Sequence, residues 1–228
     1  MTLEQNLKTV LDKIETAKNK SIWDQQVDLI AATKTQGISK VEDLYHLGVK
    51  TIGENRVQEA ESKFSPFPGF EKIKKRFIGH LQSNKVNKCL KLFDSIDSID
   101  SLRLAKKLNN ALYKSSNKIE CLIEINTSGE PQKHGFQPQI TNDIISCFEL
   151  NQLNIVGLMT VGPNTRDETI RQSAFTLLRK LKDQINEEIG FQVIIELSMG
   201  MTNDYELAIQ EGSTMVRVGT GLFGTRKY

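Results

Sequence analysis

The 228-residue sequence is poor in the features that mark most specialised protein classes. Its three cysteines, Cys89, Cys121 and Cys147, are an odd number with no CxxC pair. That argues against a disulfide framework and points to a reducing compartment, the cytoplasm. The three histidines, His46, His80 and His134, are scattered without metal-ligand spacing, so no metal site is expected. Uncharged apolar stretches reach only about five residues, against the roughly 20 needed to cross a bilayer. The opening run, Met1 to Lys8, carries an acid and no small-residue cleavage pattern, so no secretory signal is expected. Thirty basic side chains face 28 acidic ones, a net +2 too balanced for a nucleic-acid or membrane footprint. One short basic run, Lys72, Lys74, Lys75 and Arg76, reads as a solvated helix end rather than a nucleic-acid patch. There is no Pro/Gly/Ser-rich hinge and no charge block, and the loop Ser65 to Gly69 is too short to divide the chain. A single domain over residues 1–228 is expected, large enough to bury roughly 70% of its unfolded surface.

What is present is an alternation of short apolar runs with longer amphipathic ones. Eight runs have the length and the Val, Ile and Leu content of buried parallel strands. They are Val27–Ala32, Lys50–Gly53, Arg76–Gly79, Leu92–Ile96, Ile119–Asn126, Asn154–Met159, Gln192–Leu197 and Thr214–Val218. Helical spacing fills the gaps. The clearest stripe is Ile170, Ala174, Leu178, Leu181, Ile185 and Ile189, with Thr165 and Glu168 spaced as a capping box and Gly190 at its end. Ser39 and Glu42 are spaced the same way. Thr2 and Gln5 open a first helix carrying Leu3, Leu7, Val10, Leu11 and Ile14. Eight βα units predict an α/β fold, a (β/α)8 TIM-type barrel with an extra N-terminal helix. An eight-stranded doubly wound sheet is the rival arrangement.

In a barrel the chemistry collects where strands finish. The first run leads into Thr33-Lys34, placing a lysine at the mouth beside apolar walls. Burial there would disfavour the charged amine and let it attack an aldehyde to form a Schiff base. After the second run come Glu54, Asn55 and Arg56. Asn55 has a side chain suited to a ring oxygen or a phosphate, though helix capping explains this cluster as well. His80 follows the third run as a candidate acid/base, and Met159 closes the sixth as core filler or a ring contact. The last two runs end Leu197-Ser198-Met199-Gly200-Met201 and Arg217-Val218-Gly219-Thr220-Gly221. Small residues let backbone N–H groups approach an anion, Arg217 adds charge, and these two loops are where barrels often bind phosphate.

Gly219, Gly221 and Gly224 also match GxGxxG, but that fingerprint needs a following βαβ unit and an acid about 20 residues later. The sequence ends at Tyr228. The phosphate reading stands. A phosphorylated aldehyde joined to Lys34 would use both parts of the mouth, as pyridoxal phosphate or as a sugar phosphate in lysine-aldolase chemistry.

The stretch Leu197 to Asp204, followed by Glu211 to Thr220, resembles the signature of the pyridoxal phosphate homeostasis family, the alanine-racemase-like, fold type III barrel proteins. Thr33-Lys34-Thr35, Gly53-Glu54-Asn55, Phe77 to Lys85, Asn126 with Lys133 and Gly135, and Gly157-Leu158-Met159 match in the same order along the chain. The resemblance implies that Lys34 carries pyridoxal 5'-phosphate as a Schiff base. It implies that Ser198, Gly219 and Thr220 hold the phosphate, that Arg217 lies close to phosphate or ring, and that Asn55 and Met159 line the cofactor. Two loops depart from the family pattern, Thr35-Gln36-Gly37 and Val161-Gly162-Pro163, both outside the matched lysine and phosphate positions.

Fold type III racemases add a β domain that supplies a tyrosine or cysteine opposite the lysine, because two-sided proton transfer needs groups on both faces. Here Tyr45, Tyr113 and Tyr205 fall in helical patterns and Tyr228 is terminal. The expectation is therefore a monomeric protein without catalytic residues that stores, buffers or delivers pyridoxal phosphate, with pyridoxal-phosphate-dependent apo-enzymes as recipients. The alternative is an amino-acid racemase acting through Lys34 with His80.

Overall fold

The computed structural model describes residues 2–64, 67–113 and 118–224. Ser65 and Pro66 of the expected loop, and Tyr228, lie outside the described residues. Helix α1 (Leu3–Lys20) is followed by eight strands: β1 (Asp28–Ala32), β2 (Thr51–Glu54), β3 (Lys74–Phe77), β4 (Ser95–Ile99), β5 (Ile119–Glu124), β6 (Leu153–Met159), β7 (Glu196–Met201) and β8 (Met215–Val218). All pair in parallel in chain order, and β8 closes on β1 from Asp28↔Met215 to Ala31↔Val218. The connecting helices are α2 (Ile38–His46), α3 (Val57–Lys63), α4 (Val86–Leu92), α5 (Leu102–Tyr113), α6 (Asn142–Phe148), α7 (Glu168–Ile189), α8 (Tyr205–Gln210) and α9 (Thr220–Phe223). The barrel expected from the eight runs is the observed fold, and the doubly wound sheet is not.

Helix α1 forms where expected. Thr2 Oγ1 accepts from Gln5 N at 3.2 Å and Gln5 Oε1 accepts from Thr2 N at 2.9 Å, a complete capping box. Leu7, Val10, Ile14 and Ala17 bury one face against Tyr205, Ile209 and Leu222 of α8 and α9. Leu11 turns away and stays exposed. The other two expected boxes are corrected. Asp167, not Thr165, caps α7 by accepting from Thr169 N and Ile170 N. Gly37, not Ser39, precedes α2, with no side-chain cap.

Three strand positions also shift. Leu92 ends α4, whose buried Val86 and Cys89 are one helical turn apart, so β4 starts only at Ser95. The run from Gln192 enters β7 only at Glu196 because Asn186 takes the preceding backbone. Asn186 Oδ1 accepts from Val193 N (3.1 Å) and Ile194 N (2.9 Å), and its Nδ2 donates to Ile194 O (2.8 Å). Of the basic run, Lys72 does end a short helical turn (Phe70–Lys72), but Lys74, Lys75 and Arg76 lie in strand β3 and are matched. Lys74 bonds Glu120, Lys75 pairs with Asp94, and Arg76 is buried inside the barrel.

The barrel interior is layered. Near the strand starts, Arg76 forks onto Asp97 (Nε–Oδ2 2.7 Å, Nη2–Oδ1 2.9 Å) and reaches Glu120 Oε1 at 2.7 Å. Two carboxylates compensate one buried guanidinium, the condition under which a buried charge is tolerated. Above this lies an apolar plug of Ile30, Leu122, Met159 and Met215. A second polar layer, with Arg217, Ser198 and Thr160, sits above the plug at the strand ends. The larger apolar core fills the space between strands and outer helices.

Candidate cofactor site

A cavity of about 930 Å³ opens at the carboxyl ends of the strands. Lys34, Asn55, Arg217, Gly219 and Thr220 all line it. Met159 and Ser198 do not reach its wall. Met159 belongs to the apolar plug, and Ser198 is fully buried beneath, with its Oγ accepting from Arg217 Nη1 at 2.6 Å. Five of the seven residues expected at a cofactor thus share one wall, and two support it from below.

The turn that presents Lys34 is braced from behind. Thr33 N donates to Gly53 O at 3.0 Å, continuing the β1–β2 ladder, and Thr35 turns back with φ +66°, a backbone region that costs a β-branched residue energy. Lys63 at the end of α3 holds this turn. Its ammonium donates to Thr33 O (2.7 Å), Glu54 Oε1 (2.5 Å) and Glu59 Oε1 (3.2 Å). Thr33 Oγ1 donates to the same Glu54 oxygen, and Thr35 N donates to Glu59. Burial raises the Glu54 carboxyl above its usual range, against the hydrogen bonds from Lys63 and Thr33 that pull it down. Lys63 went unrecognised in the sequence because nothing in a short helix ending in lysine says that its head group is buried.

Asn55 reaches the wall because Gly79 has no side chain. A Cβ there would lie 2.3 Å from Asn55 O and 2.7 Å from Asn55 Cα. Asn55 Oδ1 is buried without a hydrogen-bond donor among the described residues. A buried acceptor in that state costs free energy unless a ligand or water satisfies it. Arg217 is fixed in place, donating to Ser198 O at 2.7 Å and Thr160 O at 2.6 Å as well as to Ser198 Oγ. Lys133, Arg166 and Arg171 add positive charge to the same cavity, against Asp204. The wall thus combines a half-buried primary amine, an unsatisfied amide oxygen and a strong excess of cations, which suits an anionic ligand.

Glu124, at the end of β5, is a further titratable group at this level. Burial, reinforced by the charge of Asp100, pushes its carboxyl up to about 7, with Arg217 pulling the other way. The only sequence signal for it was an acid ending an apolar run.

His80, expected as an acid/base, lies elsewhere. It lines a separate cavity with Asp100, Lys133 and His134 rather than the one that holds Lys34. The histidines are also not scattered in space: the rings of His80 and His134 stack 3.7 Å apart.

Comparison with known proteins bears on the family and the fold. The model of the family described as alanine racemase, N-terminal domain, matches residues 5–227. A pyridoxal phosphate homeostasis protein from Aquifex aeolicus is 34% identical over 226 residues, covering 98% of both chains. One from Haemophilus influenzae is 36% identical over 231 residues, covering all of this chain and 98% of its own. The chain belongs to the pyridoxal phosphate homeostasis family. Among solved structures, PipY of Synechococcus elongatus without pyridoxal phosphate superposes with a TM-score of 0.88 at 29% identity, over 98% of this chain and all of PipY. PipY with pyridoxal phosphate bound superposes with a TM-score of 0.84 at 28% identity. An alanine racemase from Clostridium difficile shares the fold at 17% identity and a TM-score of 0.72, and only 57% of that chain is covered. The likeness to that racemase is one of fold.

Proposed function

We propose that this chain binds pyridoxal 5'-phosphate covalently on Lys34 and buffers or delivers it, without turnover of its own. The observation that carries the reading is the single cavity wall joining the Lys34 amine, the orphaned Asn55 Oδ1 and the Arg217–Gly219–Thr220 edge. When bound, the cofactor supplies an aldehyde that condenses with a primary amine and releases water. The chain's residues do the rest. Lys63 and Glu54 fix the turn so that the amine faces the cavity. Arg217, Gly219 and Thr220 would hold the phosphate, Ser198 steadying Arg217 from below, and Asn55 would take a donor on the ring side. Met159 forms the apolar floor.

The relatives carry the name of homeostasis proteins rather than of enzymes, which supports a carrier. A racemase working through Lys34 and His80 needs the two groups on opposite faces of one ring, and His80 borders a different cavity. Recipients are pyridoxal-phosphate-dependent apo-enzymes, and the carrier acts as a monomer. A cytoplasmic location is supported by three buried free thiols, Cys89, Cys121 and Cys147. No helix among the described residues is long and apolar enough to cross a membrane.

The test is the visible absorption spectrum of wild type and Lys34→Ala after loading with pyridoxal phosphate and desalting. A Schiff-base band in wild type alone supports the assignment, and a band in both overturns it. Exchange of substrate α-deuterium at a catalytic rate would overturn the carrier reading.

A further inference from the structure

Beside the cofactor cavity, three loops bring together a donor set that the function above does not use. His80 follows β3, Asp100 follows β4 and His134 lies in the loop after β5. His80 Nδ1 is 2.9 Å from Asp100 Oδ2, and His134 Nδ1 is 3.9 Å from the same oxygen. One donor atom from each of the three falls within 4.8 Å of the others. Ligands at the usual Zn–N and Zn–O distances of about 2.0–2.2 Å stand roughly 3.3 Å apart around a tetrahedral ion. The observed separations straddle that value.

The backbone beneath each ligand is anchored independently. Ser98 Oγ donates to Gly79 O at 2.5 Å, directly before His80. Ser101 Oγ donates to Asp100 Oδ1 at 3.0 Å, which leaves Oδ2 facing the imidazoles. The loop bearing His134 is tied back to β5 by Asn126 N to Phe136 O and Phe136 N to Glu124 O, both 2.8 Å. Gly135, with φ +114°, fits against Asn126 N where a Cβ would lie at 2.8 Å. Such outer hydrogen bonds are what orient metal ligands. The nearest cation of the same loop, Lys133, is engaged by Glu130 and by Gly162 O at 2.7 Å. Parallel stacked rings aim their lone pairs side by side, so ligation requires them to tilt open. Both side chains have the freedom, at 41% and 53% exposure, while Asp100 at 12% is held.

We propose that His80, Asp100 and His134 form a binding site for a borderline divalent metal of the Zn²⁺, Co²⁺ or Ni²⁺ class, with its remaining positions open to water or an incoming ligand. Two imidazoles and one carboxylate are a nitrogen-rich set that selects these ions over Mg²⁺ and Ca²⁺. Occupancy would tie the loops after β3, β4 and β5 together at the rim of the cofactor cavity.

The test uses the full chain, stripped of metal by chelation and free of pyridoxal phosphate, titrated with Zn²⁺ by calorimetry and with Co²⁺ by visible spectroscopy. One ion per chain with a micromolar Kd is expected, together with a Co²⁺ spectrum of low-symmetry coordination. His80→Asn, Asp100→Asn and His134→Asn should each weaken binding by more than about tenfold, since loss of even an outer partner costs that much. His46→Gln, at an exposed position on α2, should leave it unchanged. Thermal melts of the apo variants confirm that the fold persists; if a variant fails to fold, ring-proton shifts of His80 and His134 on adding Zn²⁺ to wild type decide. No saturable binding, binding indifferent to all three substitutions, or unshifted ring protons would overturn the site.

Discussion

The bracing of Lys34 by Lys63 is the feature whose removal has the most calculable consequence. Lys63 and Glu54 form a buried pair, with side-chain exposures of 5% and 0%. Replacing Lys63 by Met keeps most of the aliphatic volume but strands the Glu54 carboxylate and removes one of the two hydrogen bonds to Thr33 O, the one from Gln36 N remaining. Breaking a buried pair from one side costs about 3–5 kcal/mol, a large share of the roughly 5–15 kcal/mol that stabilises a typical domain. For a chain of this size the melting temperature should fall on the order of 10 °C. The loss should depend on pH in a definite direction. The folded-state pKa of Glu54 is raised, and Lys63→Met raises it further. The protonated form is then the one compatible with folding, so stability is retained at acid pH and lost as pH rises through the folded pKa. The penalty should therefore be larger at mildly alkaline than at mildly acidic pH. Adding Glu54→Gln removes the stranded charge and should restore part of the loss, a coupling that a double-mutant cycle reads directly. Urea denaturation of the four proteins at both pH values, alongside cofactor retention after desalting, is the assay. A single variant within about 1 kcal/mol of wild type, far below the 3–5 kcal/mol of a broken buried pair, would refute the bracing. So would a double variant no more stable than Lys63→Met.

Other expectations follow from the same geometry. Glu124 is raised from 4.5 to about 7 by burial, a shift equivalent to about 3 kcal/mol. Its folded pKa lies above the unfolded one, so its contribution is full below about 4.5 and is lost as pH rises toward about 7. Denaturant stability of wild type minus Glu124→Gln should fall across that window, and parallel curves would remove the assignment. Gly79→Ala forces a Cβ against the Asn55 backbone, with an expected cost of about 1–3 kcal/mol. It should also weaken cofactor retention, measured by equilibrium dialysis, and unchanged retention would dissociate Asn55 from the ligand.

The barrel was legible because burial on both faces makes each parallel strand an apolar run, and eight such runs separated by helical stripes admit few arrangements. The place of Lys34 on the cavity wall was legible as that of a lysine directly after one of them, and the place of Gly219 and Thr220 as that of small residues after another. Boundaries blurred where two principles compete for the same residues. Leu92 and Phe93 read as strand, yet Val86 and Cys89 pull Leu92 into α4. Val193 and Ile194 read as strand, yet Asn186 takes their hydrogen bonds. Thr165 has the spacing of a cap, but Asp167 sits closer to the first free N–H groups of α7. Lys63 and the His80–Asp100–His134 group were invisible for another reason. The three donors of that group follow β3, β4 and β5, which only strand pairing sets side by side, and Lys63 meets Glu54 and Glu59 of its own βα unit together with Thr33 of the preceding one. Arg76 shows the same effect in reverse: a basic run that looked solvated is strand, with its guanidinium compensated inside the barrel by Asp97 and Glu120.

The claim on which the account rests is that Lys34 is the amine that takes the cofactor. The direct measurement is the visible spectrum of wild type and Lys34→Ala, each loaded with pyridoxal phosphate and desalted, with melting temperatures recorded to show that both are folded. The account predicts a retained Schiff-base band in wild type and none in a folded Lys34→Ala. A retained band of equal strength in Lys34→Ala, or none in either protein, would contradict it.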